Sequence, residues 1–251
     1  MVLQPDLDLN LINSLEEKAE LLKECGLDHL IIHPFTKEFS RTSSMEFVRN
    51  ILVKNIGVKK LVIGYDHHFG RNREGSFEHL KEFGPVYGFD VDEIPAQDIN
   101  DIKVSSTKIR KALLEGAIET ANEYLTRPYR FTGFVVKGDQ LGRQIGFPTA
   151  NLNLDDSKKL IPKNGVYAVL VRIDGSDKQH RAMCNIGIRP TVSGKTKTIE
   201  INMFDFNLDI YGTKLTVFFK QRIRDEQKFE SVEKLKAQLI LDEAKCRSIL
   251  S

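Results

Sequence analysis

The period of the apolar residues changes near the middle of the chain, and that change limits the fold more than any single motif. Up to residue 126, helical and extended patterns alternate. "SLEEKAELLKECG" opens on a capping box, Ser14 with Glu17, and ends at Gly26 in the usual terminating position. "DHLIIHPF" reads as a short strand, "SSMEFVRNILVKNIG" as a helix stopped at Gly57, and "KKLVIG" as an apolar strand. "SFEHLKEFG" reads as a short helix and "VYGFDVDEI" as a further strand. Strands alternating with helices imply right-handed crossovers and a parallel sheet, so residues 1–126 are expected to form a doubly wound α/β domain.

Beyond residue 126 the helical period vanishes. "RFTGFVVKG", "GVYAVLVRID", "KTIEINMFDF" and "KLTVFFKQR" are strands separated by Gly, Pro, Asn and Asp clusters. Short strands with turn punctuation imply an antiparallel barrel or sandwich over residues 127–251. A final helix, "SVEKLKAQLILDEAKCRSIL", starts at a Ser231 cap and carries an apolar stripe of Leu235, Leu239 and Cys246. The joint falls at "LTRPYR", where Pro128 disfavours helix at Arg127.

The two halves also differ in charge. Residues 1–126 hold 15 Lys and Arg against 21 Asp and Glu, and residues 127–251 hold 22 against 14. A balance of +8 in the second half suits a polyphosphate ligand, and equally a solvated lysine-rich face. Its strands lack the interleaved basic and aromatic residues of a nucleic-acid-binding barrel, so no nucleic acid is expected. The apolar runs are too short to cross a bilayer, and "MVLQPDLDLN" does not read as a signal peptide. Three scattered cysteines, Cys25, Cys184 and Cys246, fit a reducing cytoplasm and are expected to be small buried apolar groups.

Three stretches carry chemistry. In "QIGFPTANLNL", Thr149 and Asn151 lie two apart after Gly146 and Pro148, so an extended backbone sets both oxygens on one face. Two neutral oxygens on a rim suit a hard cation brought by a phosphate, or serve a turn leading into a hydrogen-bonded strand. In "VSSTKIRKALLEG", Ser105, Ser106 and Thr107 sit where a loop becomes a helix, with Arg110 one turn on. That is a phosphate-binding arrangement, or a plain N-cap with an exposed arginine. In "LVIGYDHHFGRNREG", Gly64 stands at the carboxyl end of a strand, where open parallel sheets bind ligands. His67 and His68 are adjacent, point opposite ways on extended backbone, and are not expected to share a metal.

Taken in order, "GYDHHFGRNREG", "VSSTKIRKALLEG", "GRQIGFPTANL", "NIGIRPTV", "DIYG" and "RIRDEQKF" resemble the bacterial bifunctional riboflavin kinase/FMN adenylyltransferases. The resemblance implies a nucleotidyltransferase-type α/β domain, residues 1–126, followed by a riboflavin kinase domain, residues 127–251. The second domain would be a six-stranded antiparallel β-barrel with its terminal helix. ATP, riboflavin and FMN are the implied substrates, and Mg2+ the implied cofactor. Thr149 and Asn151 are then the metal-holding pair, and Glu200 the catalytic carboxylate on a strand face shared with Asn202 and Phe204. Gly138, Gly142 and Arg143 would lie near the phosphates, Tyr211 and Gly212 at the nucleotide, and Arg224 at the flavin. Gly64, Asp66, Ser105, Ser106, Thr107 and Arg110 would bind nucleotide in the adenylyltransferase domain. A non-catalytic flavin or nucleotide sensor is the competing reading.

The family's "GxFDGxHxGH" loop has no match in these residues, and neither His29 nor His33 substitutes for its histidines. The opening stretch resembles sequence that follows that loop. The expectation is a first domain without its central first strand, with neighbouring apolar faces uncovered, forming little FAD.

Overall fold

A computed structural model describes residues 10–95, 98–99, 102–138, 141–191 and 194–251. The opening stretch up to residue 9 and Asp139–Gln140 of "VVKGDQLGRQ" lie outside them. The chain divides into two compact units: Asp28–Val104 falls in one, and Asn10–Leu27 with Ser105–Ser251 forms the other.

The first unit is α/β. A short α2 (Ser44–Glu46), capped by Ser43, runs into a π-wound helix, Phe47–Ile56, that stops at Gly57 with φ +72°. Strand β1 (Lys60–Gly64) pairs in parallel with β2 (Asp90–Ile94), and α3 (Phe77–Tyr87) forms the crossover between them. Val48, Leu80 and Phe89 make its buried centre, packed by Leu61, Ile63, Phe83 and Val91. A two-residue antiparallel pair follows, β3 (Asp98–Ile99) with β4 (Ile102–Lys103).

Two expectations fail in this unit. "DHLIIHPF" is not a strand. A strand requires a hydrogen-bonding neighbour, and among the described residues β1 and β2 pair only with each other. Leu30, Ile31, Ile32 and Phe35 are consequently 41–67% exposed. The second failure is at Gly84, which is not the end of its helix; α3 continues through Pro85 to Tyr87 and stops at Gly88, φ +74°. Gly84 is small for another reason: a Cβ there would stand 2.6 Å from the Phe89 carbonyl oxygen as the chain returns. The strand therefore starts later than "VYGFDVDEI" suggests, at Asp90.

The second unit is built on a closed barrel of β5 (Arg130–Val136), β6 (Ala150–Leu154), β7 (Gly165–Ile173), β8 (Gln179–Thr191), β9 (Gly194–Met203) and β10 (Lys214–Arg224). The strand order is β10-β5-β6-β9-β8-β7, and every pairing is antiparallel. Closure pairs the edge strands that an open sheet would leave exposed. Inside, Phe219 meets Phe131 at 5.0 Å and Tyr167 at 5.2 Å between ring centroids, both edge-on. Such pairs add about 0.5–1.5 kcal/mol each beyond the area they bury. Helix α7 (Val232–Ile249) starts at the Ser231 cap and lies over β7, β8 and β10. Cys246 of this helix is buried and Cys184 is buried too, but Cys25, at the end of α1 (Leu15–Glu24), is exposed, against expectation. Among the described residues no helix is long and apolar enough to cross a membrane.

The division between units departs from a single cut at residue 126, because 10–27 and 105–126 pack with the barrel. Helices α4 (Ser106–Glu115) and α5 (Ile118–Leu125) bury Leu113, Ile118 and Ala121. The Asn122 amide donates to the Phe219 carbonyl at 2.9 Å, and its oxygen accepts from Tyr129 N–H at 2.7 Å. The segment before α1 is held by a buried ion pair. Lys159 Nζ lies 2.5 Å from Glu17 Oε2 and 2.5 Å from the Ile12 carbonyl oxygen, and the two side chains are 1% and 2% exposed. Burial pushes the Lys159 ammonium down to about 8 although the Glu17 charge opposes it. Leu11 N–H donates to Lys158, and Leu160 N–H donates back to Leu11.

An isolated charge in this setting is far costlier than a matched pair. Glu17→Gln is expected to destabilise the chain by about 3–5 kcal/mol in urea unfolding, because it strands Lys159. Glu17→Leu combined with Lys159→Met is expected to recover most of that loss. Equal losses in both variants would show that the pair's charges do not govern this contact.

Candidate active site

Residues directly opposite on antiparallel strands share a face. Read around the barrel, the register places Val136 opposite Asn151, Asn151 opposite Glu200, Glu200 opposite Asn185, Asn185 opposite Val166, and Val166 opposite Arg224. One row thus crosses all six strands, with Glu200 between two carboxamides. Five members of the row, from Asn151 to Arg224, line a cavity of about 540 Å³. Its apolar side is Ile145, Phe147 and Met183 with Leu235 and Leu239 of α7.

A second cavity, about 470 Å³, is lined by Arg143, Pro148, Thr149, Asp209 and Tyr211 among others. Thr149 lines both cavities. It precedes β6 on a rim whose backbone is fixed from two sides. Phe147 N–H donates to the Gly142 carbonyl at 2.8 Å, and the buried Asn202 amide donates to the Pro148 carbonyl at 2.7 Å.

Two glycines press against this rim. A Cβ on Gly138 would stand 2.0 Å from Asn151 Nδ2 and 2.8 Å from its Oδ1. A Cβ on Gly142 would stand 2.3 Å from the Phe147 carbonyl oxygen and 3.3 Å from Thr149 Oγ1. Any side chain at either position would occupy the space beside the two oxygens, so glycine is required there by close approach rather than by φ. Gly142 falls within α6 (Leu141–Gln144), one turn that carries Arg143 into the second cavity.

The other wall is rigid. Arg224 donates to both carboxylate oxygens of the buried Asp242, at 2.7–3.0 Å, which ties α7 to β10. Gln238 adds a 2.9 Å bond to the same carboxylate. Arg224 therefore lines the larger cavity with its guanidinium already bound. Glu226 closes the rim by accepting from Ile188 N–H at 3.3 Å and Asn164 Nδ2 at 3.2 Å.

Of the residues singled out in the sequence, Thr149, Asn151, Glu200, Gly142 and Arg224 meet at the larger cavity, and Arg143 and Tyr211 at the smaller. Gly212 lines neither; it makes the left-handed turn into β10, φ +74°, its N–H on the Val135 carbonyl. Asn185 and Glu226 were missed. Asn185 lay inside the quoted "NIGIRPTV", but strand register, which no local pattern reveals, is what puts it beside Glu200.

The remaining candidates divide between the units. Gly64 ends β1, with a tight turn from His67 N–H to its carbonyl, and Asp66 is exposed in that turn. Ser105, in the barrel's unit, caps α4 by accepting from Lys108 N–H at 3.4 Å. Ser106 and Thr107 are exposed in the first turn, and Arg110 Nε donates to the Asn10 carbonyl at 3.0 Å.

Comparison with known proteins also divides the chain, but at a different place from the compact units. A riboflavin kinase family model matches residues 125–250, and an FAD synthetase model matches residues 1–108. Bifunctional riboflavin kinase/FMN adenylyltransferases are similar along nearly the whole chain. The Escherichia coli K12 protein is 39% identical over 94% of this chain and 74% of its own length. The Pseudomonas fluorescens protein is 40% identical over 89% of this chain and 71% of its own. A crystal structure described as a macrolide-efflux protein from Streptococcus pneumoniae is 37% identical with a TM-score of 0.85, covering 94% of this chain and 75% of that one. With one model over each half and relatives this similar across both, the chain belongs to the bifunctional riboflavin kinase/FMN adenylyltransferase family.

Proposed function

We propose that the barrel unit transfers the γ-phosphoryl group of ATP to the 5′-hydroxyl of riboflavin, giving FMN and ADP. The observation that carries this is the meeting of the two cavities at Thr149, with Glu200 across the strand pair from Asn151. The larger cavity, apolar under α7 and polar along the strand row, suits a flavin ring with a polyol tail. The smaller one, with Arg143 at its edge, suits a nucleotide whose phosphates reach the shared rim.

The rim fits a phosphate-borne Mg2+. Thr149 and Asn151 offer neutral oxygens, which suffice for a cation that keeps waters and phosphate oxygens. Gly138 and Gly142 leave the space beside those oxygens free of side chains. When bound, the cation would neutralise charge on the transferring phosphates. Glu200 takes the proton of the acceptor hydroxyl and aims its oxygen at the γ-phosphorus. Phosphoryl transfer passes through a loose transition state, so holding hydroxyl and phosphate in line is most of the protein's task.

The family's second activity, AMP transfer from ATP to FMN, comes to this chain on its FAD synthetase match and on Gly64, Asp66, Ser105, Ser106, Thr107 and Arg110. The capped start of α4 supports phosphate binding there. Small-molecule substrates and three free thiols support a cytoplasmic setting.

Glu200→Gln keeps the shape but cannot accept the proton. It is expected to lower kcat by ~10²–10⁴-fold while riboflavin affinity, read from flavin fluorescence, changes little. Flavin binding with unaltered turnover would remove Glu200 from the chemistry, and binding with no turnover in the unmodified chain would favour the sensor reading. Thr149→Val and Asn151→Leu are expected instead to raise the Mg2+ concentration at half-maximal activity. An unchanged magnesium titration in both would count against the rim as a metal site.

A further inference from the structure

We infer that Asn202 is a positioning residue of the kinase site, holding the Thr149 rim at a fixed distance from the strand that bears Glu200; this rests on the kinase reading above. Asn202 lies two residues beyond Glu200 on β9, so both side chains stand on one face, and both line the larger cavity. Asn202 is 6% exposed, and its Nδ2 donates to the Pro148 carbonyl at 2.7 Å. That carbonyl belongs to the peptide group whose nitrogen is Thr149's own. The bond therefore fixes the plane from which Thr149 projects.

This rim needs such an anchor. Pro148 contributes no N–H, and β6 begins only at Ala150, so Thr149 precedes the ladder. The ladder between β6 and β9 is short, pairing Ala150 with Ile201 and Asn151 with Glu200. Asn202 continues that contact by one side-chain hydrogen bond, past the point where the backbone pairing stops. Losing it frees the backbone that carries Thr149 Oγ1. A one-ångström drift at a reacting centre is enough to cost rate, and here it would fall on the phosphate side.

Asn202→Leu removes the donor with little change in volume, and Asn202→Ser removes its reach with a smaller, polar side chain should the leucine variant not fold. The readout is Mg2+-dependent ADP binding to the full chain by titration calorimetry, beside riboflavin affinity by fluorescence. Half-saturating Mg2+ is expected to rise roughly 3- to 10-fold, the factor that one hydrogen bond's net contribution represents, and by more than any change in riboflavin affinity, which Asn202 can also affect because it lines that cavity. Because Asn202 acts through Thr149, adding Asn202→Leu or Asn202→Ser to Thr149→Val is expected to raise the requirement no further than Thr149→Val alone. Folded Asn202 variants with the unmodified chain's magnesium requirement would overturn the inference, as would additive effects in the double variant. Thr149→Val run alongside separates the two levels. If it shifts the requirement and the Asn202 variants do not, only the positioning role falls; if Thr149→Val has no effect, the metal reading falls and takes this inference with it.

Discussion

The barrel's hydrogen-bond register is the constraint on which the site depends. Each strand alternates its side chains between faces, so a slip of one residue anywhere would turn a polar group from the cavity to the opposite face. Closure pairs every strand on both sides and pins the register all the way round. The cross-strand row through Asn151, Glu200 and Asn185 follows from that closure. None of these residues touches another in sequence, yet three strands set a carboxylate between two carboxamides. The carboxylate thereby faces a carboxamide on the strand to either side.

The rim beside this row works by close approach. Gly138 and Gly142 stand where a single added carbon would collide with Asn151 or with the backbone beside Thr149. Their value lies in the volume they leave empty beside the two side-chain oxygens. The opposite wall has the reverse character. Arg224, Asp242 and Gln238 form a hydrogen-bonded cluster that fastens α7 over the apolar side. A stiff wall and a rim open to small groups suit an enzyme that must hold a large aromatic acceptor and a mobile phosphate in line.

The barrel also recruits chain from outside its own sequence block. Residues 10–27 fall within the stretch matched by the FAD synthetase model, yet they pack in the barrel's unit through the Glu17–Lys159 pair. Arg130, 6% exposed, adds bonds to Glu20 and Glu24 on the same helix. Kinase stability therefore depends on residues that no kinase motif contains. A boundary drawn where the apolar period changes marks the change of architecture, and packing is free to disregard it.

Local chemistry was legible in the residues. The Ser14–Glu17 capping box, the Gly57 stop, the Ser231 cap and four of the barrel strands follow from propensity and pattern, which act over a few residues. Thr149, Asn151 and Glu200 stood out as candidates because the stretches that carry the family resemblance are local too. Distant pairing was not legible. "DHLIIHPF" has a strand's composition, but among the described residues no strand pairs with it, and Ile31 remains 67% exposed. Gly84 looked like a helix stop, but the Phe89 carbonyl passing over it explains the missing side chain. Asn185 and Glu226 sat inside quoted motifs but were not singled out there, since their places beside Glu200 and Ile188 come from strands and loops far apart in the chain. The sequence by itself determined the two architectures and the groups able to do the chemistry, because propensity, turns and motifs are short-range properties. Only the tertiary structure decided which of those groups share a cavity, because register and closure are settled by contacts that the chain makes across its whole length.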